Sequence, residues 1–553
     1  MSKRHPTPSQ EPEELPAGAP AGAATDRAAV PAVPIFSKPE TEKVVPLPIP
    51  LFSEEKAREA RRARVAAVLE RTPAEQLESA KLDGRTQQGS LLVMVPIREG
   101  QIEPLRKLLA QVASPPDGDD FEINPVIPFL KLRTVHFARF LIHAPSPSEE
   151  APIPVWDGKP QVHGPPIPAK LLFSTDYDGE LDAHLEELFR VAGPGLDRIF
   201  SHCEGWPGNH NPRLARGYFL RHRYPTTAFY TGTMRRSVEQ IRREADLRDR
   251  IQAFLDRESG KPGFPSDPVE VRERIRQFVS REKELAWARE KPGPFPKLLI
   301  PEYFINRLPL TAGLAGLTVA TGAFGALSLV LPMKTAAAWV GGVTATLGAA
   351  VGAGYAYLSR LAARDPVIIR DSVKEHTAEL VKTEDRIVQN EMSSVIYIKE
   401  PLAFRRTLLW VVLTFVNFAA KYLSNQGALA GIPSIHFARW VIVDEGRRLI
   451  FFSNFDGSWE NYLGDFVDKA HDGLTAVWSN CVGFPRTKGL WQEGATDEQK
   501  FKMYSRDSQI PTQVWYSAYK WLSVPNINNN TMIRLGLYGE LSRTQAEEWL
   551  RRF

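Results

Sequence analysis

Residues 434–459 read SIHFARWVIVDEGRRLIFFSNFDGSW. Two β-branched and aromatic runs flank Asp444-Glu445-Gly446-Arg447-Arg448, the pattern of a hairpin. The second run ends in Asn-Phe-Asp-Gly-Ser, a turn that opens a helix. The chain contains this stretch twice. Residues 134–142 read TVHFARFLI and residues 170–179 read KLLFSTDYDG, with a Pro-rich insertion at 144–168 between them. Asp178-Gly179 answers Asp456-Gly457, and 25 residues after each Asp comes a cysteine, Cys203 or Cys481, in the frame aromatic-Ser-x-Cys-x-Gly-aromatic-Pro. Residues 224–230 (YPTTAFY) then answer residues 510–516 (IPTQVWY). Matches this long, in one order, establish an internal duplication.

Outward from that stretch, each copy reads as the same series of elements. In the first, residues 91–96 form a short buried strand, and Ile102, Leu105, Leu108, Leu109 and Val112 recur at helical spacing. Strands at 134–142 and 170–175, a helix near 179–191 and a strand near 197–203 follow. The second copy begins with a strand at 395–398 and a helix at 407–423, and continues past the hairpin with a helix at 459–470 and a strand at 474–481. The order β-α-β-β-α-β is that of a ferredoxin-like unit, so the expected class is α+β with two such repeats, at 89–231 and 393–553.

Composition narrows what the chain does. Its 553 residues carry 69 basic and 65 acidic side chains, a balance that argues against nucleic acid as the main partner. The two cysteines occupy equivalent places in the two copies, so they read as one buried position used twice, in a reducing compartment, not as a disulfide framework. The first residues, MSKRHPTPSQEPEELP, lack the apolar core of a secretory signal, and no cleaved export signal is expected. Residues 1–52 are rich in Pro, Ala and Glu without apolar period and read as disordered; 53–88 reads as a charged lead-in helix and 232–306 as a charged helical linker.

Between the copies the character changes. Residues 310–332 and 335–358 contain no charged side chain and are separated by Met333-Lys334. Each is long enough to cross a hydrocarbon core of ~30 Å at 1.5 Å per residue. Gly348-x-x-x-Gly352 and Gly316-x-x-x-Ala320 would let two such helices pack closely. The expectation is a transmembrane hairpin within 307–360, followed by a helical linker at 361–392, with the lipid bilayer as a partner. Lys297 and Arg307 precede the hairpin and Arg360, Arg364, Arg370 and Lys374 follow it, which places both repeats on the cytoplasmic side of an inner or plasma membrane. The helix at 407–423 is also apolar almost all round, but it occupies the slot of the sheet-packing helix of the first copy and is read as packed.

Two ferredoxin-like units in one chain resemble the dimeric α+β barrel superfamily, and among its duplicated members the haem-binding dye-decolourising peroxidases. The resemblance covers roughly 89–230 and 393–540 and rests on element order. It implies haem as cofactor and peroxidase-like oxidoreductase activity. The peroxidase motif Gly-x-x-Asp-Gly is answered by Ser453-Asn454-Phe455-Asp456-Gly457 and by Thr175-Asp176-Tyr177-Asp178-Gly179, both without the leading Gly. Carried over on those residues, Asp456 would assist peroxide cleavage, Arg439 or Arg486 would stabilise charge, and His436 would be ligand or acid–base group, with Trp440 and Trp478 lining the cofactor.

Read from the residues alone, the same positions have plainer roles. Strand alternation places His136 and His436 on one face with Ala138 and Ala438, either to admit a ligand or as buried imidazoles satisfied by a carboxylate or carbonyl. Arg139 and Arg439 face the other way, toward an anion or an interdomain ion pair. Asp178 and Asp456 stand where a helix N-cap belongs, and Cys203 and Cys481 read as small buried hydrophobes. Zinc spacing, a phosphate-cradling loop with Lys-Ser/Thr and a Gly-x-Ser-x-Gly elbow do not occur. Retention of His, Arg, Asp and Cys in both copies favours structural roles, and keeps a non-catalytic, membrane-associated scaffold or ligand-binding protein open beside the peroxidase.

Overall fold

Alternating burial along the strands builds two four-stranded antiparallel sheets. The computed structural model describes residues 71–113, 124–146, 155–156, 159–160, 165–208, 211–294, 322–364, 374–422, 429, 431–488 and 492–553. All of them fall within one compact unit, residues 59–553. The readings of 1–52, most of 144–168 and the first half of the uncharged run 310–332 lie outside the described residues.

The elements of the first half are β1 (Gln88–Pro96), α1 (Ile102–Val112), β2 (Val135–His143), β3 (Lys170–Asp178), α2 (Leu181–Phe200), β4 (Ala228–Thr231) and α3 (Val238–Glu258). Helix α4 (Met333–Ala363) stands between the halves. The second half repeats the series as β5 (Gln389–Tyr397), α5 (Leu402–Tyr422), β6 (Ile435–Val443), β7 (Arg448–Asp456), α6 (Trp459–Trp478), β8 (Val514–Ser517) and α7 (Val524–Leu535). The sheet orders are β1-β3-β2-β8 and β4-β6-β7-β5. Each sheet therefore takes its fourth strand from the other half: Val514 pairs with Phe140 and Ser517 with Phe137, while Ala228 pairs with Trp440 and Thr231 with Phe437.

This corrects the fourth strands expected at 197–203 and 474–481. Helix α2 continues to Phe200 and α6 to Trp478, because Leu196, Ile199 and Phe200, like Leu474, Val477 and Trp478, bury one helical face. Cys203 and Cys481 make only isolated bridges, to Ile97 and Ile398. Helix α2 also runs through Pro194, past the expected end at 191. Gly195 is required there, since a Cβ would lie 1.8 Å from the Val126 carbonyl oxygen.

One face of each sheet carries its helices. Leu91, Val93, Phe140 and Phe173 pack under α1 and α2; Trp440, Leu449, Phe451 and Phe455 pack under α5 and α6. The opposite faces contribute Leu92, Met94, Leu141 and Leu172 from one sheet and Val441, Val443, Ile450 and Phe452 from the other, to a shared apolar cluster. Helices α3 and α7, which follow the exchanged strands, pack on each other. Arg243 and Arg534 bond Asp83 at 2.8 and 2.6 Å and flank the Trp287 ring, each with its guanidinium carbon 4.9 Å from the centroid.

The exchange is tightest where β4 ends. Gly232 donates to the His436 carbonyl at 2.7 Å, and a Cβ there would stand 2.0 Å from the Ile435 carbonyl oxygen. Ala518 fills the equivalent slot in the other sheet, donating to the His136 carbonyl at 2.8 Å. Gly232→Ala is therefore expected to destabilise the protein by about 3 kcal/mol through a backbone clash. Ala518→Gly should cost well under half of that in the same thermal melt; equal effects would mean that the two junctions are alike.

Candidate functional site

At the centre, where the exchanged strands cross, a β-bulge breaks the alternation expected for the histidines. Val135 lies opposite Tyr177 and Phe137 opposite Asp176, leaving His136 without a cross-strand partner; Ile435 and Phe437 bracket His436 in the same way. The freed imidazoles, both fully buried, turn to the carboxylates that end β3 and β7. His136 Nε2 lies 2.8 Å from Asp178 Oδ1, and His436 Nε2 lies 2.7 Å from Asp456 Oδ1. The second oxygen of each carboxylate accepts from the first backbone N–H of a helix: Val238 of α3 at 2.8 Å and Val524 of α7 at 2.7 Å.

The two aspartates do cap helices, but not the ones that follow them in sequence. Helix α6 is capped by Ser458, whose side chain accepts from Asn461, and α2 follows Glu180 without a side-chain cap. Instead each Asp holds the N-terminus of the helix beyond an exchanged strand, 60 or 68 residues later, where the helix dipole favours a carboxylate. Each His–Asp pair thus ties a sheet to the element that closes the exchange. The signal was present in the sequence: Ser237-Val238 and Ser523-Val524 continue the duplication in register seven and eight residues past Tyr230 and Tyr516.

The pairs differ in one bond. His136 Nδ1 lies 2.8 Å from the Tyr519 hydroxyl, whereas the equivalent residue facing His436 is Thr233, and neither His436 Nδ1 nor Thr233 Oγ1 has a hydrogen-bond partner. The rings of the two halves interleave, with His136 5.1 Å from Phe437, His436 5.5 Å from Phe137, and the two phenylalanines 5.6 Å apart.

Arg139 and Arg439 point between the sheets, flanking the Phe452 ring at 4.8 and 5.2 Å. Their partners are unequal. Arg139 donates to Glu391 (2.9 Å), Ser393 (2.8 Å), Asn454 (2.5 Å) and the carbonyls of Met392 and Ser453 (3.2 and 3.3 Å). Arg439 donates to the Leu91 carbonyl at 3.0 Å, and its Nε is unpaired. Burial lowers its guanidinium to about 10, against the attraction of Asp176. Burial raises the Asp176 carboxyl above its ordinary value, opposed by Arg439 and Arg139. Glu391, Asp176 and Asn454 had not been singled out in the sequence.

Of the residues assigned to a haem site, His436 meets Asp456 and Trp440 meets Trp478, their ring centroids 6.2 Å apart. Trp440 and Trp478 lie on the helix face of the second sheet, packed around Phe451 at 5.0 and 5.2 Å. Arg439 is on the opposite face. Arg486 is elsewhere, donating to the Ala363 carbonyl at the end of α4 at 2.5 Å. The cavity beside Trp478 and Phe451 measures about 20 Å³, room for about one water, where a cofactor site takes ~300 Å³ or more. His436 is fully buried, with Nε2 on Asp456. These residues do not fit a haem. Chemically, the centre as built is a pair of buried His–Asp latches.

No family model, curated protein or solved structure matches the chain.

Proposed function

We propose that the chain is a membrane-associated, non-catalytic scaffold or ligand-binding protein. In this reading two duplicated ferredoxin-like halves form a dimeric α+β barrel-like body, which the central helices hold against a lipid bilayer. The observation that carries it is the outward face of α5. Arg405, Leu409, Leu413 and Ala420 are buried, while Trp410, Val411, Phe415, Phe418 and Tyr422 are 56, 52, 50, 46 and 42% exposed. Helix α1, in the same slot of the first half, exposes Glu103, Lys107 and Gln111 instead. One helix of an internally duplicated pair thus faces water, and the other carries an apolar stripe interrupted by Thr407 and Thr414. Moving five half-exposed side chains of this kind into lipid is worth roughly 5 kcal/mol, at about 1.5–3 kcal/mol for each full burial.

Helix α5 is long and apolar enough to cross a membrane, with 17% of its apolar window buried. Its inner face rests on β4, so it lies along the bilayer in this reading instead of crossing it. Crossing falls to α4 and the uncharged run before it. From Thr335 to Ser359 the 31-residue α4 has no charged side chain, and its far end meets α5 where the Tyr357 and Phe404 rings lie 5.3 Å apart. The basic residues on both flanks of the hairpin put the two halves on the cytoplasmic side. The haem peroxidase reading lacks such an anchor in the geometry.

Site-specific labelling tests the proposal. Cys203 and Cys481 are buried, and burial pushes both thiols up to about 12, so neither competes for a maleimide. An environment-sensitive dye on Phe415→Cys should emit to the blue in vesicles and be quenched by spin-labelled lipid. The same dye on Gln111→Cys should behave as in water. If the two probes cannot be told apart, α5 is not a lipid-facing helix.

A further inference from the structure

A cleft of about 600 Å³ opens beside the C-terminal end of α4, walled by Ser359 and Ala363 of that helix and by residues 483–507 of the second half. Its walls carry both signs of charge: Arg486, Lys488 and Lys500 on one hand, Glu493, Asp497 and Asp507 on the other. Arg486 is fixed at the rim by its bond to the Ala363 carbonyl. Two hydroxyls that line the cleft, Ser359 Oγ and Thr487 Oγ1, are shielded from solvent and have no hydrogen-bond partner among the described residues.

The first half is shorter at this place. Pro207 lies 17 residues before Tyr224, but the equivalent Pro485 lies 25 residues before Ile510. Among the described residues of this longer segment, Thr487 and Lys488 pair with Glu493 and Gln492, and Thr487, Lys488 and Glu493 line one wall. Glu493 takes φ +62°, and Gly494 after it also has positive φ, a backbone strained into shape at the cleft. So the cleft belongs to the half with the apolar helix face, and it sits where the uncharged stretch of α4 ends in Arg360 and Arg364. If α4 crosses the bilayer, that is the depth of the phospholipid headgroups.

We propose that this cleft binds the zwitterionic headgroup of a membrane phospholipid, a phosphate bearing a primary amine. The phosphate sits against Arg486 and Lys488, and the ammonium faces Glu493, since Asp497 is already held by Lys500 at 2.5 Å. Mixed charge on the walls favours such a headgroup over a purely anionic one, whose phosphate would meet Glu493 without an amine to offset it. The proposal rests on the membrane reading above, and supplies it with a ligand class.

The test is a titration of the delipidated full-length chain in detergent, followed by native mass spectrometry. The probes are dioleoylphosphatidylethanolamine, dioleoylphosphatidylglycerol and soluble phosphoethanolamine. The ethanolamine lipid should bind at least about tenfold tighter than the glycerol lipid. Lys488→Gln alone, which leaves the Arg486 cap on α4 in place, should lose about tenfold, the worth of one charged contact. Arg486→Gln/Lys488→Gln should lose more, and Lys107→Gln on the distant α1 should change nothing.

Equal binding of the two lipids, or no loss in the Lys488 variant, overturns the site. Soluble phosphoethanolamine binding as tightly as the lipid overturns the lipid source and assigns the cleft to a free metabolite. A dye at position 415 that sits in lipid while the lipids bind alike sinks the headgroup site and leaves the membrane reading standing. A dye in water sinks both.

Discussion

Arg139→Met is expected to destabilise the joined sheets by about 3–5 kcal/mol, and Arg439→Met by no more than ~1–2 kcal/mol, although both side chains are buried and both belong to duplicated positions. The difference lies in what each leaves behind. Arg139 neutralises Glu391 and makes five hydrogen bonds that join β2 of one sheet to β5 and β7 of the other. Without it a carboxylate is stranded in the interface, with Asn454 deprived of its strongest donor. Arg439 makes one bond, to a carbonyl, and faces the like charge of Arg139 across Phe452. Its loss leaves Asp176, which keeps the Asn454 amide at 3.2 Å. Thermal melts of the two variants in the same detergent give the order directly. Arg139→Met/Glu391→Gln should recover a large part of the loss, because the stranded charge is removed with its partner. Equal shifts for the two single variants would mean that the asymmetry of bonds carries no energy.

That asymmetry shows what a duplicated sequence conceals. The strands and most helices were legible because their periods are local: Leu105, Leu108, Leu109 and Val112 bury one side of α1, and past the bulge 438–443 alternates between two faces. The exchange of β4 and β8 was not. Residues 224–230 and 510–516 answer each other in the sequence, but a strand of four residues, as at 228–231 and 514–517, carries no information about which of two related sheets it will extend. The helices α2 and α6 were cut short for a related reason: Gly193-Pro194-Gly195 in one, and the run Leu474–Trp478 in the other, favour a break or a strand locally, while packing keeps both helical.

The centre was half legible. Both histidines were open to the reading of buried imidazoles satisfied by a carboxylate, and that is how they sit. Their facing was not readable, because the bulges at 136 and 436 come from tertiary pairing. The unequal arginines could have been read by extending the register: the two halves place Ser90 opposite Glu391 in the repeat and Asp176 opposite Asn454, so each half holds one buried acid in a different slot. The register common to the two halves frames the polar centre, and the difference at these two pairs decides where its charges meet.

Acid is expected to unfold this chain through two imidazoles that have no role in the central latches. His143 is buried at the far end of the sheet interface, where Nδ1 donates to the Ala144 carbonyl at 2.7 Å and Nε2 accepts from Arg448 at 3.1 Å. Burial first, and then the Arg448 charge, lower it to about 3, with Asp444 opposing and Lys170 adding to the fall. His184 of α2 stacks on Tyr177 at 4.0 Å, with Nε2 2.8 Å from the Thr175 hydroxyl and Nδ1 without a partner, and burial alone lowers it to about 3. Both groups therefore stay neutral in the folded chain, while in the unfolded chain they take up protons below about 6.5. Stability from this source is complete above that pH and is lost as pH falls from 6.5 toward 3. Each histidine contributes a slope of about 1.4 kcal/mol per pH unit once the unfolded form is protonated, so together they cost roughly 5 kcal/mol by pH 4.5. Melting temperatures measured from pH 7.5 to 4.5 should fall steeply below 6.5. His143→Gln should halve the slope whatever it does to stability at neutral pH, since Gln does not titrate, and His184→Gln should act likewise. A slope that survives both substitutions would place the acid sensitivity in other groups and show that neither imidazole is held neutral by its burial.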